Sequence, residues 1–101
     1  EEEWFQILDA WEVCAYCGAD GVGLQKDCVM PISRGGRYTV GNVVPACQRC
    51  NASKSNSEVT VWMRRHRLNE SAFMARWVSV NQKLADGANQ ETLSLSNVFG
   101  A

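Results

Sequence analysis

Nothing in this chain of 101 residues comes near the 18 or more consecutive apolar residues that a membrane-spanning helix requires. The first 25 residues hold no lysine or arginine. The amino-terminal stretch EEEWFQILDAWE therefore lacks the basic region and unbroken apolar segment of a secretory signal. A cytoplasmic protein without a membrane partner is the expectation. Internal repeats and low-complexity segments are also missing, which excludes a stacked array of repeats. Histidine is scarce, and His66 is the only imidazole in the chain.

Against these absences stand five cysteines, an odd number. Four of them form two C-x-x-C pairs, Cys14/Cys17 and Cys47/Cys50. Without a secretion signal, that pattern favours metal binding over disulfides. Two residues between cysteines let a tight turn aim both sulfurs at one ion, and four thiolates closing a tetrahedron suit a structural Zn²⁺. The 29 residues between Cys17 and Cys47 leave room for a strand–loop–strand insert. One domain over residues 1–101 is expected, with a core over 12–67 and a carboxy-terminal helix and tail over 68–101. Hydrophobic residues make up 46% of the chain and include four tryptophans. A domain so small still gains from a metal staple.

Charge is segregated along the chain although the net charge is −1. Residues 1–25 carry six acids and no base, whereas residues 26–67 carry eight bases against Asp27 and Glu58. The central block points to a nucleic-acid partner that the overall balance conceals; a solvated basic face is the plainer alternative.

Trp4, Phe5, Leu8 and Trp11 recur at helical spacing, which predicts a helix over 2–12 with that stripe facing the core. C-A-Y-C-G reads as a tight knuckle. A strand is expected over 23–30, with Leu24, Cys28 and Met30 on one face, and a loop from Pro31 to Gly41. Val43 and Val44 read as a second short strand ending before Pro45. Helical patterns follow. One begins near Gln48 and carries Lys54. A second, capped at Asn56–Ser57, has Val59, Trp62, Met63 and His66 as its stripe. A third runs over 70–86 with Phe73, Trp77, Val80 and Leu84 inward, and Gly87 is its expected stop. The tail ANQETLSLSNVFGA reads as a loosely docked extension or a contact for a partner.

Residues 14–54, C-x-x-C-G…K-D-C-V-M-P-I-S-R-G-G…T-V-G-N-V-V-P-A-C-Q-R-C-N-A-S-K, resemble the zinc-containing HNH endonuclease family. The resemblance implies an α+β fold: a small ββα-metal core stapled by a four-cysteine zinc site, with flanking helices. It implies a DNA endonuclease that hydrolyses phosphodiester bonds with one divalent cation, Mg²⁺ or Mn²⁺. Asp27 matches the metal-binding aspartate, Asn51 the last motif position, also on the metal, and Asn42 the central asparagine that braces the loop positioning the base. Cys28 falls where the first histidine, the general base, belongs. A neutral imidazole with a pKa of about 6.5 suits that task, whereas a thiol with an ordinary pKa of about 8.5 is mostly protonated at neutral pH. Activity is expected to be impaired in this form.

Plainer readings stand beside each role. Asp27 could be a surface strand residue, Asn42 turn chemistry and Asn51 a helix cap. Cys28 could be a small core residue, a soft-metal ligand or an introduced replacement. His66, on the apolar side of a helix, reads as a packing residue rather than a substitute base. Lys26, Arg34, Arg37, Arg49 and Lys54 are expected to contact phosphates of duplex DNA with little base reading. The rival class is a non-catalytic zinc module that binds DNA or a protein partner.

Overall fold

The computed structural model describes the backbone of residues 2–100 and the side chains of residues 2–87. Helix α1 spans Glu2–Trp11 and opens with Glu2 and Glu3, whose charge complements the positive end of the helix dipole. It buries Ile7 and Trp11, while Phe5 is 61% exposed. The expected stripe is thus rotated: Ile7 takes the place assigned to Phe5, and Trp4 and Leu8 flank it half-buried. At the other end of α1, Arg76 Nη2 donates to the Trp11 carbonyl at 2.7 Å, giving the terminal carbonyls a cation.

After the C-A-Y-C knuckle come β1 (Leu24–Cys28) and β2 (Val43–Cys47), an antiparallel pair in which Asp27 faces Val44 and Cys28 faces Val43. β2 is buried along its whole length and runs through Pro45, further than the sequence led us to expect. Pro45 lacks a donor, but its carbonyl accepts from Ala15 N at 2.8 Å, which docks the knuckle against the strand. β1 ends at Cys28, so Met30 leaves the sheet and is 53% exposed rather than on the core face.

The link between the strands contains a single 3-10 turn, Ile32–Arg34, closed by Gly35 at a φ of 95°. Gly36 follows at a point where an added Cβ would lie 1.8 Å from the Met30 carbonyl oxygen, so only glycine fits. Three helices complete the described chain: α2 (Gln48–Lys54), α3 (Val59–Arg65) and α4 (Glu70–Gly100). Glu58, rather than Asn56 or Ser57, caps α3, its carboxylate accepting from the Thr60 and Val61 amides. α3 buries Val59, Trp62 and Met63, but His66 lies past its end and is exposed. α4 buries Phe73 and Val80 and half-buries Trp77 and Leu84, as its period requires. It continues through Gly87. A glycine inside a helix costs only about 1 kcal/mol relative to alanine, and the neighbouring Ala85 and Ala88 are good helix formers. What the tail side chains contact lies outside the described residues.

The core joins α1, the sheet, α3 and α4. Trp11 stacks on Phe73 with ring centroids 6.1 Å apart, and Tyr16 packs against Phe73 at 5.1 Å and edge-on to Trp62 at 5.2 Å.

Candidate metal centre and adjoining cleft

Cys14 and Cys17 come from the knuckle, Cys47 from the last position of β2, and Cys50 from the first turn of α2. Their four sulfurs lie within 4.8 Å of one another, positioned to hold one metal ion. Cys47 ends the strand and also caps α2, its sulfur accepting from Cys50 N at 3.5 Å. Burial first, and next the charge of Cys14, push the Cys50 thiol well above its ordinary range. A dication among the four sulfurs would reverse that preference, since a coordinating thiol is deprotonated outright. Cys28 is not in this group.

A separate cleft of about 600 Å³ opens beside the strand ends, lined by Gln25, Asp27, Cys28, Asn51, Ile32 and Tyr38 among others. It brings Asn51 of α2 to Asp27 and Cys28, the adjacent residues that end β1. Asp27 is 9% exposed. Its Oδ2 accepts from the Tyr16 hydroxyl at 2.5 Å and pairs with Lys54 Nζ at 3.2 Å. Burial, followed by the charge of Asp27, drives the Tyr16 hydroxyl far above its ordinary pKa, which keeps it a donor. Asn51 sits on α2, its Nδ2 donating to Gln25 Oε1 at 2.8 Å.

Cys28, the last residue of β1, lines the same cleft. Burial pushes its thiol up and the neighbouring Asp27 charge adds to this, with Lys54 opposing. Its proton is therefore held more tightly than in a free cysteine. Asn42 lies at the far end of the loop. Its Oδ1 accepts from Met30 N at 2.8 Å, and its Nδ2 donates to the Met30 and Arg37 carbonyls, both at 3.0 Å. From behind, Trp77 and Asn81 of α4 hold the Gly41 carbonyl at 2.9 and 3.2 Å. Asn42 is thus a brace across the loop rather than a cleft residue.

The expected phosphate contacts divide. Lys26, Arg34, Arg37 and Arg49 are exposed. Arg34 Nε donates to the Asn56 carbonyl at 2.6 Å, tying the loop to the end of α2, and Lys26 lies over the Trp4 ring at 5.7 Å. Lys54 is a correction: it is 0% exposed, and its ammonium serves Asp27 and the Cys28 carbonyl, the latter at 2.9 Å. It follows Cys50 on α2 by about one helical turn, so it shares the buried side of that helix and points into the core rather than at solvent. His66 belongs elsewhere too. It lies 3.4 Å from Ser53 Oγ and lines a second cleft with Cys17 and Arg49, so it does not stand in for a base beside Asp27.

Tyr16 and Gln25 join the site without a motif to announce them. A large aromatic between the two cysteines of a C-x-x-C pair is the available signal for Tyr16, because a knuckle side chain that size has to be buried somewhere. Gln25 has the period-two relation to Asp27 and nothing more.

The fold and the two sites define a small α+β module in which a strand pair and a helix are clasped beside a four-cysteine cluster. Residues 14–63 match the family model described as HNH endonuclease, and this segment belongs to that family. Among known proteins, the CRISPR-associated endonuclease Cas9 of Actinomyces naeslundii is 41% identical over 63 residues. The match covers 54% of this chain and 6% of that relative's length.

Proposed function

We propose that this domain is the hydrolytic part of a DNA endonuclease, arrested or slowed at Cys28. The observation that carries the proposal is the meeting of Asp27, Cys28 and Asn51 in one cleft beside the four-cysteine cluster. In this reading Cys14, Cys17, Cys47 and Cys50 hold a structural Zn²⁺, whose binding energy is part of the folding energy.

Asp27 and the Asn51 amide oxygen offer two hard oxygen donors, which suits Mg²⁺ or Mn²⁺ and leaves positions for water and phosphate. Such a cation supplies charge stabilisation at a phosphoryl group as negative charge builds during hydrolysis. The chain's own residues do the rest. Tyr16 and Lys54 both engage Asp27 Oδ2, keeping the carboxylate fixed in the cleft wall. Asn42 holds the Met30 backbone and so fixes the direction in which the chain leaves Cys28. Lys26, Arg34, Arg37 and Arg49 would contact duplex phosphates, while position 28 would take the proton from water. A thiol held protonated by burial performs that last task poorly.

Replacing Cys28 by histidine tests this. Nicking of supercoiled plasmid in Mn²⁺ or Mg²⁺ is expected to rise by about 10²-fold or more. Asp27→Ala or Asn51→Ala in that background should abolish the gain. A Cys28→His protein that folds, binds DNA and binds the cation yet cuts no faster would overturn the enzyme reading. The second reading, a zinc module that only binds, would then take its place; the buried, protonated thiol at the base position is the observation in its favour.

A further inference from the structure

Two side-chain rungs join β1 to α2 across their facing surfaces. One is Asp27 to Lys54. The other is Gln25 to Asn51. Positions 25 and 27 are two apart on a strand and share a face, while positions 51 and 54 are three apart on a helix and share a stripe. Each proposed cation ligand is therefore gripped by a side chain of the opposite element.

The grip on Asn51 has chemical content. A primary amide presents one oxygen and one nitrogen at its tip, and only the oxygen can ligate a hard cation. The torsion that exchanges them is broad and roughly two-fold, so an unheld asparagine offers the wrong atom much of the time. Gln25 Oε1 accepts a hydrogen bond from Asn51 Nδ2 at 2.8 Å. With the nitrogen committed, the oxygen is the amide atom left for the cleft that Gln25, Asp27 and Asn51 line together.

We infer that Gln25 is a positioning residue for the cation, setting the Asn51 amide with its oxygen outward before any ion arrives. This rests on the reading of Asp27 and Asn51 as cation ligands. Gln25 has no part in the family motif, and its side chain is exposed enough to be changed without emptying the core.

The test is Mn²⁺ binding to the full chain with Cys28 in place, read from the free-ion electron paramagnetic resonance signal, so that hydrolysis plays no part. Asp27→Asn should remove the binding and thereby define the site. Gln25→Met keeps the length of the side chain and deletes its acceptor. It is expected to weaken Mn²⁺ binding by about tenfold, the low end of what loss of an outer partner costs a metal site. In an Asn51→Asp background the same change should shift the dissociation constant by less than about twofold, because a carboxylate presents an oxygen whichever way it turns. The melting temperature should stay level in all Gln25 variants. Unchanged affinity in Gln25→Met overturns the inference. So does equal weakening in both backgrounds, which would make Gln25 a ligand rather than an orienting group. Absence of any Asp27-dependent Mn²⁺ binding in the unaltered chain overturns the cation reading itself, and this inference with it.

Discussion

An ammonium taken out of water needs a charged partner and further acceptors, or it costs several kcal/mol. Lys54 has both in Asp27 and the Cys28 carbonyl, with the Tyr16 ring 5.8 Å away. Removing it leaves a nearly buried carboxylate with one hydrogen-bond donor fewer and a strand-end carbonyl without its partner. Lys54→Met should therefore lower unfolding free energy by about 3 kcal/mol in urea titrations. A change below about 1 kcal/mol would mean that Lys54 is not the counter-ion the geometry shows. Cys28 is the other residue whose surroundings set its behaviour. Its thiol is 8% exposed and its pKa is raised, so alkylation by iodoacetamide at pH 8 should be far slower than that of a free cysteine. Urea should abolish the difference.

Among the elements, α3 depends on its cap. Hydrogen bonds from the Thr60 hydroxyl and then from the Thr60 amide hold the Glu58 carboxyl below its ordinary value, although slight desolvation opposes them. A depressed folded-state pKa gives stability that is present above the ordinary glutamate pKa of about 4.3 and lost as pH falls through the folded value. Glu58→Ala should cost about 1 kcal/mol at pH 6, and its melting curve should approach that of the parent near pH 3. The loop is less forgiving. Gly36→Ala forces a methyl into the Met30 carbonyl, and overpacking of that kind costs about 1–3 kcal/mol. Because Asn42 grips the same Met30 backbone, a further Asn42→Ala change should add little to the damage, which a double-mutant cycle would reveal.

The elements also show what can be read from the sequence. Apolar period finds α1, β1, α3 and the first part of α4, although β1 stops at Cys28 and α3 stops before His66, and cysteine spacing finds the four-cysteine cluster. Period fails where several apolar residues compete for one face, as when Ile7 displaces Phe5. Cap residue type misleads as well: α3 starts at Val59, so the cap falls on Glu58, whose carboxylate reaches the Thr60 and Val61 amides. Lys54 misleads because a motif lysine in a basic block suggests phosphate, and only the packing of α2 on β1 shows that its ammonium is spent inside. Gln25 is silent because its importance is a relation to Asn51, 26 residues away, which no local pattern carries.

For the whole molecule, knuckle, sheet and α2 meet at the four sulfurs, so the proposed zinc is part of the architecture. Cys47→Ser should abolish cooperative unfolding, and prolonged chelation should do the same to the parent. Elemental analysis showing no zinc in folded protein would sink that account. With Lys54 withdrawn from the phosphate track, Lys26, Arg34, Arg37 and Arg49 remain. If they neutralise three or four phosphates, log K for duplex DNA should fall against log salt with a slope of about −3 to −4. Lys54→Met should leave that slope unchanged, whereas Arg37→Gln should reduce it by about one.

The four sulfurs do not meet solvent equally: Cys17 is exposed, while Cys14, Cys47 and Cys50 are buried. A peroxide in the medium therefore finds one entry point. Cys17 oxidised to its sulfenic acid would face the Cys47 sulfur, 3.8 Å away in the reduced protein, and condensation with that thiol gives a disulfide and water. That single bond would take two of the four sulfurs from the proposed zinc and the cap from α2, the helix that carries Asn51. Oxidation at a knuckle outside the cleft would thus disable the proposed cation site without touching a residue that lines it, much as a fuse protects a circuit it takes no part in.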